Sequence, residues 1–182
     1  MTLNMGLCYN PAMKKNIVLV GFMGAGKSLI SENLAQKLSW PIISTDDLIV
    51  NRERRSINEI FEQSKEAYFR QVEKAVVKEV AKKEGCVIDC GGGVVLDPDN
   101  LAALKETGIV FYLSATAQEL YSRIKDQTHR PLLNIENPRA KIEKLLEQRE
   151  AFYAQADYTI DTNHKDTEMI CAEIINIIKS ET

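Results

Sequence analysis

Residues 21–28 read Gly21-Phe22-Met23-Gly24-Ala25-Gly26-Lys27-Ser28, a full instance of the pattern G-x-x-x-x-G-K-[ST]. Glycines at those positions let backbone N–H groups close around phosphate oxygens. A lysine there reaches the terminal phosphates, and the hydroxyl beside it is placed to ligate Mg²⁺. The segment predicts ATP or a related triphosphate as ligand, with Gly24, Ala25, Gly26, Lys27, Ser28 and Leu29 around the phosphates and Ser28 on the metal. Other chemistry-bearing residues are scattered. Asp46 follows a short apolar run, and Arg70 and Glu73 sit three apart. Asp89 ends an apolar run just before Gly91-Gly92-Gly93, and three glycines there would let backbone approach a ligand closely.

The elements that must position these residues can be read from periodicity. Buried-strand runs are expected at 16–20, 41–44, 86–90, 108–113 and, weakly, 158–160. Amphipathic helices alternate with them, which argues for an α/β fold with a parallel sheet. Leu34, Ala35 and Leu38 predict a helix directly after residues 21–28, so the glycine loop would join a strand to a helix N-terminus, a site that favours anions. Phe69, Val72, Val76 and Val80 mark one face of a helix running to about Lys83, and Ile170, Ile174, Ile177 and Ile178 do the same near the end. Ser56 with Glu59, and Thr116 with Glu119, read as capping boxes; Asp97-Pro98 and Asn137-Pro138 read as helix starts. Two stretches stand outside the alternation. Residues 46–69 are expected to form two short helices, and residues 125–138 are polar and proline-punctuated, with His129 and Arg130 among them. Long surface segments of this kind are usually functional or mobile.

The chain has 182 residues, 45% apolar and 27% charged, as expected for one globular domain. A net charge of −3 gives no sign of a nucleic-acid or membrane partner. No apolar run approaches the roughly 20 residues that a membrane-spanning helix needs. Residues 1–15 do not read as a signal peptide, and are expected to be an N-terminal extension to a single domain over 16–182. Cys8, Cys86, Cys90 and Cys171 are irregularly spaced and are expected to be free thiols. His129 and His164 are too isolated to suggest zinc. The guanine-reading Asn-Lys-x-Asp of GTPases is absent: the nearest text, Asn163-His164-Lys165-Asp166, lacks the adjacent lysine. A compact chain with two insertions fits a small-molecule kinase.

Taken together, the motifs resemble shikimate kinase. The pieces are residues 21–28; Ser44-Thr45-Asp46 with Ile49; Arg55-Ser56-Ile57; Glu66-Ala67-Tyr68-Phe69-Arg70 with Glu73; the triple glycine; Arg123 with Arg130-Pro131-Leu132-Leu133; Arg149 with Tyr153; and Asp161-Thr162-Asn163. The loop alone is common to many families, whereas Phe69-Arg70-x-x-Glu73, the triple glycine and Arg-Pro-Leu-Leu in this order are far more specific. The resemblance implies a P-loop NTPase-type α/β/α sandwich around a five-stranded parallel sheet. It implies transfer of phosphate from ATP to shikimate with Mg²⁺, in the cytoplasmic route to chorismate and aromatic amino acids, by a protein expected to work as a monomer. Asp46 would hold the acceptor hydroxyls and orient or deprotonate the attacking one, with Lys27 and Arg130 flanking the transferred group. Arg70 and Arg149 would clamp the substrate carboxylate, Glu73 holding the Arg70 guanidinium. Gly91, Gly92 and Gly93 would line the acceptor, with the Gly92 N–H as donor. Arg123, Arg130 and Lys165 would complete the nucleotide site. Residues 46–69 would bind substrate, and 125–138 would form the lid.

One departure stands out. The family usually carries Asp-[ST]-Asp after its second strand, the first carboxylate helping to hold Mg²⁺; here that position is Ser44. An Asp at the end of an apolar strand is also the usual metal-side carboxylate of phosphate-loop enzymes. Asp89 is therefore expected to supply the carboxylate that Ser44 cannot. Two rivals remain open: a kinase for another small acid such as gluconate, and a nucleotide-binding protein without catalysis.

Overall fold

The computed structural model describes residues 15–125 and 137–181. Strand β1, Asn16–Val20, is buried along its whole length, as expected for a parallel strand covered on both faces. Its side chains alternate. Ile17 and Leu19 enter one apolar cluster, and Val18 and Val20 enter another on the opposite side of the sheet. Around it lie α1 (Lys27–Leu38), β2 (Ile42–Ser44), α2 (Thr45–Glu53), α3 (Ile57–Val80) and β3 (Val87–Asp89). A 3-10 turn, Val94–Leu96, precedes α4 (Pro98–Thr107) and β4 (Gly108–Ser114). The chain continues through α5 (Ala117–Ile124), α6 (Pro138–Tyr153), β5 (Tyr158–Asp161) and α7 (Thr167–Ser180).

The five strands run parallel in the order β2-β3-β1-β4-β5. From β1 the chain first builds β2 and β3 to one side, then crosses to β4 and β5 on the other. The order therefore reverses at β1 and β3, and ligands of open α/β sheets bind outside the carboxyl ends of strands at such a point. One apolar layer packs Ile30 and Leu34 of α1 with Ile170 and Ile174 of α7; the other packs Val72 and Val76 of α3 with Leu101 and Leu104 of α4. This is the expected α/β/α sandwich.

The local signals account for most boundaries. Ser56 and Glu59 form the full reciprocal capping box of α3. Asp97 and Asn137 accept N–H bonds ahead of the first-turn prolines of α4 and α6. Thr116 accepts from the Glu119 N–H at the start of α5. The expected pair of short helices over 46–69 is α2 followed by the first turns of α3. A break at Lys65, with φ 65° and ψ 170°, then separates those turns from the straight stretch carrying Phe69, Arg70 and Glu73. That stretch ends at Val80 rather than near Lys83. Cys86, Cys90 and Cys171 are buried free thiols, as expected, while Cys8 lies outside the described residues. Among the described residues no helix is long and apolar enough to cross a membrane.

Candidate active site

The loop between β1 and α1 carries left-handed glycines, Gly24 at φ 82° and Gly26 at φ 90°. Gly26 is the N-cap of α1 and no side chain caps that helix, so its first-turn N–H groups are left for an anion. The Lys27 ammonium folds back over the loop and donates to the carbonyls of Gly21 at 2.9 Å and Phe22 at 3.3 Å. The Ser28 hydroxyl donates to Asp89 Oδ2 at 2.7 Å. Leu29 follows on the first turn and is exposed.

Sheet register explains the Ser28–Asp89 contact. Asp89 is the last residue of β3, opposite Leu19 of β1 and Ser44 of β2. Burial pushes the Asp89 carboxyl above the ordinary range, with the Ser28 bond and the Lys27 charge opposing. Ser44 is otherwise engaged: its hydroxyl caps α2 by accepting the Asp47 N–H at 3.1 Å. A hydroxyl and a carboxylate oxygen in contact beside a phosphate loop are hard donors, and Mg²⁺ is usually held by one or two such protein groups plus phosphates and water. The pair fits that ion. Among the described residues there is no cluster of three or more metal-binding side chains.

Asp46 sits in the first turn of α2, directly after β2. It lies so near the triple glycine that a methyl added to Gly91 would meet its Oδ1 at 2.5 Å. Burial pushes the Asp46 carboxyl up; the Lys27 charge opposes this, and the negative charges of Asp89 and Asp47 reinforce it.

Arg70 and Glu73 face the same glycines from α3. Arg70 pairs with the fully buried Glu73 at 2.7 Å and with exposed Glu66 at 3.0 Å. Its guanidinium rests against Gly93 so closely that a methyl there would meet Nη1 at 2.5 Å. Glu73 thus holds the guanidinium, as expected from its spacing; the pair is not a solvated surface bridge. Burial raises the Glu73 carboxyl pKa, and Arg70 is the largest opposing influence. Arg149 on α6 lies over the Phe22 ring, 5.7 Å from its centroid, so it borders the phosphate loop.

The hydrogen bonds of the triple glycine are almost fully assigned. The Gly91 N–H donates to the buried Thr45 hydroxyl at 2.9 Å. The carbonyls of Gly91 and Gly93 accept from the N–H groups of Val94 and Leu96, and the Gly92 carbonyl accepts from the Tyr153 phenol at 2.6 Å. Among the described residues nothing accepts from the Gly92 or Gly93 N–H. Gly92 and Gly93 are only half-buried, and two open donors beside Asp46 and Arg70 are accessible to a ligand.

Arg123 and Lys165 are held differently. Arg123 reaches from α5 to the Thr162 carbonyl at 2.7 Å and hydroxyl at 3.1 Å, and to the Gly24 carbonyl at 3.5 Å, so it links the end of β5 to the phosphate loop. Lys165, in the loop after β5, pairs with Glu173 at 2.7 Å. Arg130 lies outside the described residues, as does most of the 125–138 segment. The structure otherwise gathers Lys27, Ser28, Asp46, Arg70, Asp89, Gly91, Gly92, Gly93 and Arg149 at the carboxyl edge of β1, β2 and β3 and the helices beside it. Sequence reasoning gave no role to Thr45, Thr162 or Tyr153, whose hydroxyls fix Gly91, Arg123 and Gly92. The signal for Thr45 was its hydroxyl beside the candidate acid at a strand end, at the [ST] position of the Asp-[ST]-Asp pattern.

Comparison with known proteins identifies the family of the chain. The family model for shikimate kinase matches residues 23–179. A shikimate kinase from Dehalococcoides mccartyi is 44% identical over 162 residues, covering 88% of this chain and 92% of the relative. One from Caldanaerobacter subterraneus subsp. tengcongensis is 43% identical over 161 residues, covering 88% and 94%. A solved shikimate kinase from Acinetobacter baumannii in complex with shikimate superposes with a TM-score of 0.87 at 35% identity, covering 92% of this chain and 94% of that one.

Proposed function

The chain belongs to the shikimate kinase family, and from that premise we propose that it transfers the terminal phosphoryl group of ATP to shikimate, giving shikimate 3-phosphate and ADP. The observation that carries the reading is the acceptor cradle: a half-buried carboxylate at Asp46, two open glycine N–H groups, and the Arg70–Glu73 pair, all next to a phosphate loop. Shikimate is a ring carboxylate with hydroxyls. It calls for cations at one end and an acceptor of hydroxyl protons at the other, and this cradle presents both. Family membership favours shikimate over gluconate, whose carboxylate the arginines would also suit.

In this reading the phosphate loop and the uncapped start of α1 hold the ATP phosphates, and Lys27 turns from the loop carbonyls to the terminal phosphates. Ser28 would ligate Mg²⁺, and Asp89, hydrogen-bonded to Ser28, would supply the carboxylate that helps hold it. Bound Mg²⁺ neutralises charge on the phosphate oxygens. Asp46 accepts hydrogen bonds from the acceptor hydroxyls and orients or deprotonates the attacking one; a carboxyl whose pKa is raised by burial is suited to taking a proton. Arg70 and Arg149 bind the substrate carboxylate, Arg's planar fork matching it in two-point contact. Gly91 and Gly93 frame the acceptor, and the Gly92 N–H donates to it. Arg123 borders the nucleotide, with Lys165 and Leu29 on its rim. Arg130, in the lid assigned to 125–138, completes the charge around the transferred group, and closure excludes water. Residues 46–69 form the acceptor side of a single kinase domain over 16–182. We assign the reaction to the cytoplasm, and a monomer as its working form, on the family resemblance.

The test is ADP release in a coupled assay with shikimate, with gluconate, and with no acceptor. Rapid release with shikimate alone is expected. Equal release in all three arms, or faster release with gluconate, would overturn the assignment, and no release in any arm would favour a non-catalytic nucleotide binder.

A further inference from the structure

Tyr153 is the last residue of α6 and is fully buried. A phenol in such a place must find a partner for its O–H, and this one donates to the Gly92 carbonyl at 2.6 Å. The ring is fixed as well: it stacks on Tyr112 of β4 with centroids 4.7 Å apart and planes within 5°. The phenol oxygen also feels two cations. The charges of Arg149, one helical turn earlier, and of Arg70 both reach it. One side chain therefore touches the triple glycine and lies within electrostatic reach of both arginines.

The Gly92 carbonyl belongs to the Gly92–Gly93 peptide, so holding it fixes that plane and the direction of the Gly93 N–H at its other end. Glycine resists such rotation least of all residues. The Thr45 hydroxyl pins the Gly91 N–H on one side, and Tyr153 pins the Gly92 carbonyl on the other. The Gly92 N–H lies between these anchors and the Gly93 N–H just past the second, and neither has a partner among the described residues. Gly92 also lies against the phosphate loop: a methyl added to it would sit 3.5 Å from the Gly21 carbonyl and 3.7 Å from the Met23 N. A swing of this peptide would move the acceptor donors relative to the transferred phosphate.

We propose that Tyr153 is a positioning residue for phosphoryl transfer, its O–H fixing the Gly92–Gly93 peptide and keeping the acceptor's N–H donors in register with Arg149 on the same helix. The proposal rests on the reading of the triple glycine as part of the acceptor site. It makes Tyr153 a determinant of acceptor binding that leaves the nucleotide side untouched.

Tyr153→Phe removes only the hydroxyl and keeps the stacked ring. Tyr112→Phe is the control, deleting a hydroxyl from the same stack without touching Gly92. Backbone order parameters at Gly93, measured by NMR relaxation in the ligand-free proteins, should fall from the rigid value of about 0.85 to below about 0.6 in Tyr153→Phe and stay at the parent's value in Tyr112→Phe. KM for shikimate should rise at least tenfold in Tyr153→Phe, with KM for ATP within twofold and the larger change in KM rather than kcat. Unchanged order parameters, an equal fall in both variants, or a fall with an unchanged shikimate KM would each overturn the proposal. If the parent does not phosphorylate shikimate, the acceptor assignment fails on its own and the relaxation comparison still decides whether Tyr153 holds the peptide.

Discussion

An ionised carboxylate at Asp46 opposes folding, because burial raises its pKa and the Lys27 charge only partly offsets this. A raised folded-state pKa means that the native chain holds the proton more tightly than the unfolded chain. Stability is therefore lost as pH rises from the ordinary carboxylate value through the raised one, and the full cost is present above it. Asp46→Asn removes that charge. It should raise the melting temperature of the ligand-free protein at neutral pH, with the gain shrinking on acidification, while turnover with shikimate falls about 10²–10⁴-fold, the usual worth of a positioned acid–base group. Calorimetry and initial rates on the same preparation check both halves; turnover within tenfold of the parent would mean that Asp46 serves only as an acidic residue in the first turn of α2. In the parent, the acid limb of the rate profile should lie above the ordinary aspartate range, since the base must be ionised to act.

At the scale of elements, the parallel register of β2 and β3 sets Ser44 and Asp89 opposite each other at the carboxyl edge, so a carboxylate can move between strands and still face the same hydroxyl. Asp89→Ser should raise the Mg²⁺ concentration needed for half-maximal rate at least fivefold and weaken Mn²⁺ binding to the ADP complex, measured by electron paramagnetic resonance. Adding Ser44→Asp should recover most of both, because Asp caps a helix as well as Ser does and α2 keeps its start. Failure of the double variant to recover Mn²⁺ binding would confine the metal role to the Asp89 position or remove it. Much of this arrangement was legible in the sequence. The loop pattern, the apolar runs and the cap residues located β1, α1 and the helix starts, and the Arg70–Glu73 spacing announced an ion pair. Other features carry no local signal. Lys65 breaks α3 at a backbone conformation that glycine normally occupies, and nothing in the residues around it marks the spot. The Tyr153–Gly92 and Thr45–Gly91 bonds span 61 and 46 residues, and only the folded sheet brings those groups together.

Across the whole molecule, ionisable groups divide into two sets that act against each other. Glu53, Glu59 and Asp97 have lowered pKa values, through bonds from Arg55, Ser56 and Lys74 respectively, so their stabilisation is complete above the ordinary carboxylate range and is lost as pH falls through their folded-state values. Asp46 and Glu73 are raised by burial, so they reduce stability as pH rises through theirs. The melting temperature of the ligand-free protein should therefore rise with pH up to the ordinary carboxylate range and decline just above it. A net charge of −3 at pH 7 offers a competing cause, since self-repulsion among surface carboxylates would also grow with pH. Salt separates the two. The screening length falls from about 10 Å at 0.1 M to about 3 Å at 1 M, which suppresses repulsion between exposed charges but leaves desolvation of buried ones in place. A decline just above the ordinary carboxylate range that persists in 1 M NaCl and flattens in Asp46→Asn assigns it to the desolvated site. A decline that disappears with salt, and is the same in Asp46→Asn, assigns it to the surface.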